Sequence, residues 1–487
     1  MADSSEPAEK RLRRGRSANK ATKAVVSEET SKSQPKTDAP KKESSNSMLC
    51  LNDDCLQKLF EHLDINSLCQ MANVCKRFRP ITMQVFSHCH KKFVFKALRC
   101  KNSDFRRALC KFGHLMTSIN ASEANLGNYD ERLDGNAIVK YCTNNLEELI
   151  VRQATIDCDA FKPLFSRLKC INLIECEFTG NKTDLFKSCP NLEILSFHAD
   201  FLGSDMIDLG YDELLSSIDF VVRKFPKLKR LGFDCSYDAH LKLFNLLALN
   251  PQVKEIDVIA NPEDVFIDGI VKNAKNLEVL KLRCSDSGPE VETRKGFLKL
   301  SKLKKLQKLY FEAGSEEYGK FFGPLMDAFA KEKVPIGQLE MFNFNIRPKD
   351  IKSILKLKTM KILSLNSIEK ASDADLVPLA TQLQLLEHLQ LDFTNVKAPI
   401  TANGLVNMAA DGNQLEYMAL INVQNLKIDQ KVFENILQAV QSRSNGKKLT
   451  IDIVGSYDKT TSFNVPGEIQ RAANAHLIIN YSTLEDE

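Results

Sequence analysis

The fold predicted for this 487-residue chain is α/β: a solenoid with parallel strands on a concave wall and helices on its convex back, preceded by a small all-α unit. Two observations carry the solenoid. One phrase recurs along the body, an apolar residue, two spacers, a second apolar residue, one spacer and a third, and segments with helical spacing separate the copies. The all-α unit rests on a third observation, a short stretch of helix-spaced apolar residues between a polar tail and the first copies. The 43% hydrophobic content is enough for a large buried core.

Residues 1–46 are rich in Ser, Ala, Lys, Pro and Glu and nearly lack large apolar side chains. Such a segment cannot bury enough surface to offset its ordering entropy and is expected to be disordered. It holds 11 Lys and Arg against 7 Asp and Glu, so the tail carries the whole net charge of +4 and the rest is balanced. Within it, "KRLRRGR" (Lys10 to Arg16) reads equally as a nuclear import signal or as a solvated polycation. A body without basic excess argues against a folded nucleic-acid binder.

Residues 47–92 read as three short helices. Asp53 and Asp54 favour the positive end of the first, along which Cys55, Leu56, Leu59, Phe60 and Leu63 recur at helical spacing. "DINS" makes a turn, and Leu68, Met71, Ala72 and Val74 carry the second helix. A third begins near Cys75, includes Phe78 and is expected to be interrupted at Pro80. So small a unit has too little interior for so many apolar side chains, and some must face outward. From periodicity alone, a cap on the solenoid and a docking module stay open.

Residues 93–487 carry the repeats. The phrase reads "LEELIV" from Leu146, "LKCINL" from Leu168, "LEILSF" from Leu192, "LKRLGF" from Leu228, "VKEIDV" from Val253 and "LEVLKL" from Leu277. It continues with "LQKLYF" from Leu306, "LEMFNF" from Leu339, "MKILSL" from Met360, "LEHLQL" from Leu386 and "LEYMAL" from Leu415. A weaker copy starts at Met116, and "LTIDIV" from Leu449 closes the array. These copies lie 21 to 36 residues apart. One strand and one helix cannot cover each other's apolar faces, whereas stacked copies bury a continuous core. A doubly wound α/β enzyme would need longer apolar strands and a glycine-rich phosphate loop, and neither G-x-G-x-x-G nor G-x-x-x-x-G-K-[ST] occurs.

The fourteen cysteines run from Cys50 to Cys284 without a C-x-x-C pair, and are expected to be reduced, buried thiols. "HCH" (His88, Cys89, His90) is too closely spaced for one helix face to present a metal site. No metal or cofactor is expected. No apolar run is long enough to span a bilayer and the amino terminus lacks an apolar signal region, so the chain is expected in the cytoplasm, the nucleus or both, away from membrane.

The repeats resemble the cysteine-containing leucine-rich repeats: "CTNNLEELIV" (Cys142), "CPNLEILSF" (Cys189), "INLIEC" (Cys176) and "LKLRC" (Cys284) carry the likeness, which fades after Cys284. The helical stretch "LNDDCLQKLFEHLDINSLCQMANVCKRF" resembles an F-box, with Asn52 where the family has Pro, Phe78 where it often has Trp, and Val85 and Phe86 near its usual Leu-Trp. The whole then reads as a three-helix F-box followed by a leucine-rich-repeat horseshoe.

That resemblance implies a non-catalytic substrate receptor of an SCF-type ubiquitin ligase, docked on a Skp-family adaptor and through it on a cullin–RING assembly. It assigns the adaptor surface, formed or supported, to Leu51, Leu56, Leu59, Phe60, Leu63, Leu68, Val74, Cys75 and Phe78. The alternative is a leucine-rich-repeat scaffold or nuclear adaptor with no ubiquitin role. An enzyme is the third reading, and neither H-E-x-x-H nor G-x-S-x-G is present.

Strand alternation selects the residues facing a partner on the concave wall. Arg230, Asp234, Asp257, Lys281, Arg283, Lys308, Tyr310, Glu312, His388 and Tyr417 are expected there to meet a substrate. Their mixed signs suit a protein better than a nucleic acid.

Overall fold

A computed structural model describes residues 48–95, 102–123, 132–142, 144–187, 189–198, 221–235, 239–260, 263–284, 295–313, 319–393, 400–455 and 462–483. The chain divides between Asn52 and Asp53. In the first unit, Met48–Cys50 forms one 3-10 turn, closed by Leu51 N donating to Met48 O at 3.3 Å.

The second unit opens with α1 (Asp53–Phe60), α2 (Ile65–Val74) and α3 (Phe78–Val85). Asp64 caps α2 by accepting from Ser67 N at 2.8 Å. Pro80 does not interrupt the third helix. That helix starts later than the sequence indicated, at Phe78, so Pro80 lies in its first turn, where a missing N–H costs nothing. Phe60 and Phe78 pack edge to face at 5.3 Å and form the small core with Leu56 and Leu68. A π-helical turn at Phe86–His90 follows, and Phe86 stacks at 4.4 Å on Phe112 of α4 (Asn102–Phe112). The three helices are thus continuous with the repeats through buried aromatic contact.

Fifteen parallel strands follow, each paired with its predecessor in chain order. They are β1 (Lys92–Val94), β2 (Ser118–Ala121), β3 (Glu148–Arg152), β4 (Cys170–Ile174), β5 (Ile194–His198), β6 (Arg230–Cys235), β7 (Glu255–Ala260) and β8 (Val279–Cys284). The sheet continues through β9 (Lys308–Glu312), β10 (Gln338–Phe342), β11 (Ile362–Leu365), β12 (His388–Asp392), β13 (Tyr417–Val423), β14 (Leu449–Gly455) and β15 (Leu477–Thr483). Register aligns the second apolar residue of each phrase into one row: Leu149, Ile171, Leu195, Leu231, Ile256, Leu280, Leu309, Leu339, Leu363, Leu389, Met418 and Ile451. Every member is buried, which is the continuous core that no single repeat could provide. Between strands, helices such as Ala239–Leu249, Asp264–Asn273 and Gln430–Gln441 cover that row, and the last is capped by Asp429 accepting from Val432 N. Chain reversal after several strands uses a left-handed residue, as at Gln153, Glu175 and Asn343.

Two phrases are placed differently from the sequence reading. In the copy read from Leu339, the first apolar position is Ile336: it is fully buried, and Gly337 N and Gln338 N both donate to Gln307 O, as in neighbouring repeats. In the copy read from Leu449, Thr450 pairs with Tyr417, so Lys448 occupies the first position. Of these fifteen strands, two escaped the phrase altogether: β1, and β15, which follows the expected closing copy.

The cysteines divide. Cys142, Cys158, Cys176, Cys189 and Cys284 are buried, and burial pushes the thiols of Cys142, Cys176 and Cys189 up to about 12. Cys50, Cys55, Cys89 and Cys110 are exposed, against the expectation of burial, because they occupy solvent-facing positions outside the repeat phrase.

Candidate functional site

Two surfaces are built by these elements. On the helical unit, Leu59 of α1 and Val74 of α2 remain 45% and 57% exposed, large apolar side chains without a cover. Leu63 and Cys75 are half-buried against the core, while Leu56, Phe60, Leu68 and Phe78 lie wholly inside it and support the surface from beneath. Leu51, in the first unit, is exposed. An ion pair between Arg77 and Asp53 at 2.7 Å ties the approach to α3 to the start of α1.

The open face of the sheet carries the second surface. Register sets Asp257 beside Lys281 and Lys281 beside Tyr310, and in the next row Arg283 beside Glu312. Arg230 reaches across to Glu255 at 3.3 Å and Asp257 at 3.6 Å, Arg283 meets Asp257 at 2.9 Å, and Lys281 meets Glu255 at 3.4 Å. Glu255, Asp257, Lys281, Arg283 and Tyr310, with Gln338 and Glu340 of β10, line a depression of about 490 Å³. The Tyr310 hydroxyl donates to Glu312 at 3.1 Å and its ring lies 5.1 Å from Phe342. Burial, reinforced by the Glu312 charge, raises the phenol to about 12, so it stays a hydrogen-bond donor at neutral pH. Among the described residues, neither Lys308 nor Glu340 makes an ion pair, and both line the depression. A partner therefore meets the Lys308 ammonium and a Glu340 carboxylate that the Gln338 amide already engages, beside charges that neutralise one another.

His388 and Tyr417 form a separate group, their rings 5.9 Å apart and the tyrosine hydroxyl donating to Asp452 at 2.7 Å. Two strands, or roughly 14 Å at ordinary strand spacing, separate His388 from Tyr310, and Tyr417 lies one strand further on. Asp234 lies on the open face, but its carboxylate is engaged by His198 Nδ1 at 2.9 Å, and His198 Nε2 meets Ser196 Oγ at 2.6 Å. Gln338, Glu340 and Asp452 were missed because odd register shifts in their two copies turned the wrong side of each strand outward. Ser196 and His198 follow the alternation rule and could have been read from "LEILSFH". No group of three His, Cys, Asp or Glu side chains among the described residues is placed to hold a metal.

Comparison with known proteins agrees with this geometry at its amino-terminal end. Residues 48–90 match the family model of the F-box domain. No curated protein sequence matches the chain. Solved structures that match include an internalin from Listeria monocytogenes (14% identity, 63% of this chain and 82% of that one, TM-score 0.36). The Rad7 and Elc1 complex in yeast also matches, with 15% identity, 74% of this chain, 89% of that one and a TM-score of 0.41. A further match is the TLR13–ssRNA13 complex (12% identity, 78% and 63%, TM-score 0.33). The fold and its two surfaces define a repeat solenoid headed by a three-helix module. That module is an F-box domain, and a leucine-rich-repeat-type solenoid follows it.

Proposed function

We propose that the protein is a substrate-recognition subunit of an SCF-type ubiquitin ligase. The F-box docks on a Skp-family adaptor, and through it on a cullin–RING assembly, while the open face presents a protein for ubiquitin transfer. The observation that carries this reading is the F-box domain at residues 48–90 joined in one chain to a fifteen-stranded parallel sheet. F-box domains are typically parts of non-catalytic receptors, and in ubiquitin transfer the chain acts as a receptor, with the transfer chemistry left to the cullin–RING assembly.

In this reading 1–46 is a tail, 47–92 the docking domain and 93–487 the recognition domain. Leu59 and Val74 contact the adaptor directly, over Leu56, Phe60, Leu68 and Phe78. The substrate sits around Lys281, Arg283, Lys308, Tyr310 and Glu312. A specific complex needs roughly 800 Å² from each partner, more than one depression offers, so neighbouring repeats contribute too. The protein works in the cytoplasm, the nucleus or both; among the described residues no helix is long and apolar enough to cross a membrane. Affinity purification of the intact chain beside a form lacking 47–92, with mass spectrometry of both, tests the proposal. Adaptor and cullin should vanish on deletion while substrates remain or accumulate; their persistence would overturn it.

A further inference from the structure

On β5 and β6 the open face holds an arrangement that the recognition role does not use. Ser196 Oγ lies 2.6 Å from His198 Nε2, and His198 Nδ1 lies 2.9 Å from Asp234 Oδ1. Strand geometry explains the meeting. Residues 196 and 198 project from the same face of one strand, and the register that pairs Phe197 with Phe233 sets Asp234 alongside His198. Each imidazole nitrogen thus has one partner, with the carboxylate fixing which nitrogen faces the hydroxyl. Nucleophile, base and orienting acid are recognised by these roles and distances rather than by sequence spacing, so the absence of G-x-S-x-G does not weigh against them.

The surroundings fit the same chemistry. Gly232 stands opposite Ser196, and a Cβ there would lie 2.2 Å from the hydroxyl oxygen and 3.1 Å from His198 Nε2. The missing side chain is what leaves room for the pair. On the other flank the register sets Asn172 opposite Ser196. Its carboxamide oxygen is buried and makes no hydrogen bond, so the amide can turn its N–H donors toward charge developing beside Ser196. Ser196 and Asp234 are each only 5% exposed, which limits the reacting group to a small one.

We propose that Ser196, His198 and Asp234 form a nucleophile relay that accepts an acyl group from a small carboxylic ester. His198 Nε2 takes the hydroxyl proton as Ser196 Oγ bonds to the carbonyl carbon, and the carbonyl electron pair moves to oxygen beside Asn172. Collapse breaks the ester C–O bond, and the alkoxide takes the proton from His198 and leaves as an alcohol. Water then attacks the acyl-serine by the same proton path, releasing the carboxylic acid and restoring the serine. Asp234 positions the imidazole and balances its transient positive charge.

The test is labelling of the full chain by a fluorophosphonate probe, read by intact mass and peptide mapping, with p-nitrophenyl acetate hydrolysis measured in parallel. Stoichiometric labelling at Ser196, lost in Ser196→Ala and slowed about 100-fold or more in His198→Gln, is expected. Asp234→Asn should slow labelling and change its pH profile, which a purely structural role would not do. Each variant is checked by circular dichroism. A folded wild-type chain that takes no label at Ser196, or equal labelling in wild type and His198→Gln, overturns the proposal.

Discussion

Replacing Leu59 and Val74 separates docking from folding, because both side chains belong to the F-box yet stand in solvent. Fully burying a Leu or Val is worth about 1.5–3 kcal/mol. With 45% and 57% of these residues still exposed, an adaptor covering both gains about 1 kcal/mol from each. Leu59→Ala with Val74→Ala should therefore weaken binding of a purified Skp-type adaptor by about 2 kcal/mol, roughly 30-fold in Kd. Leu59→Asp with Val74→Asp should abolish it, since a covered, unpaired carboxylate adds its desolvation cost. Neither pair should lower the thermal midpoint appreciably. Phe60→Ala makes the contrast: wholly buried against Phe78, it should cost about 3–5 kcal/mol of folding and lose the adaptor by unfolding. Isothermal titration calorimetry with circular dichroism on each variant reads both effects. Wild-type affinity in a folded Leu59→Asp/Val74→Asp chain would refute the docking surface.

Other outcomes follow from the same structure. Arg283→Ala with Tyr310→Ala should lengthen substrate half-life in a cycloheximide chase and leave adaptor binding unchanged, whereas Lys242→Ala with Lys272→Ala on the helices should do nothing. Deleting residues 1–46 should leave adaptor binding intact, and fluorescence imaging should show a shift from nucleus to cytoplasm if "KRLRRGR" is read by import receptors. A thiol reagent at pH 8 should label Cys50, Cys55, Cys89 and Cys110 in the native chain, and Cys142, Cys176 and Cys189 only after denaturation. Those three thiols stay protonated up to about 12 in the fold but ionise near 9 when unfolded. The unfolded state therefore binds fewer protons above pH 9, and the melting temperature should fall as pH rises through that range.

Much of the fold was legible because one physical requirement repeats. The row from Leu149 to Ile451 must be apolar in every copy, and that periodicity shows through variable loops. The misplaced copies fail for a matching reason. Ile336 follows a Val-Pro pair while Leu339 begins a run that imitates the phrase, and Lys448 puts a charge where a leucine is expected. A strand of three residues such as Lys92–Val94 is too short to show alternation. On the open face, alternation placed Tyr310 and Arg283 correctly, but which charges cancel depends on inter-strand distance, and no single strand encodes it. The link from Ser196 through His198 to Asp234 spans 36 residues at its second step and becomes visible only in register.

Reconstituted ubiquitin transfer tests the central claim most directly. Proteins captured by the form lacking 47–92 are offered to the full chain assembled with adaptor, cullin and RING subunits. Ubiquitin chains are expected on a captured protein with the wild type, and their loss with either Leu59→Asp/Val74→Asp or Arg283→Ala/Tyr310→Ala. Equal transfer with wild type and both variants would contradict that claim.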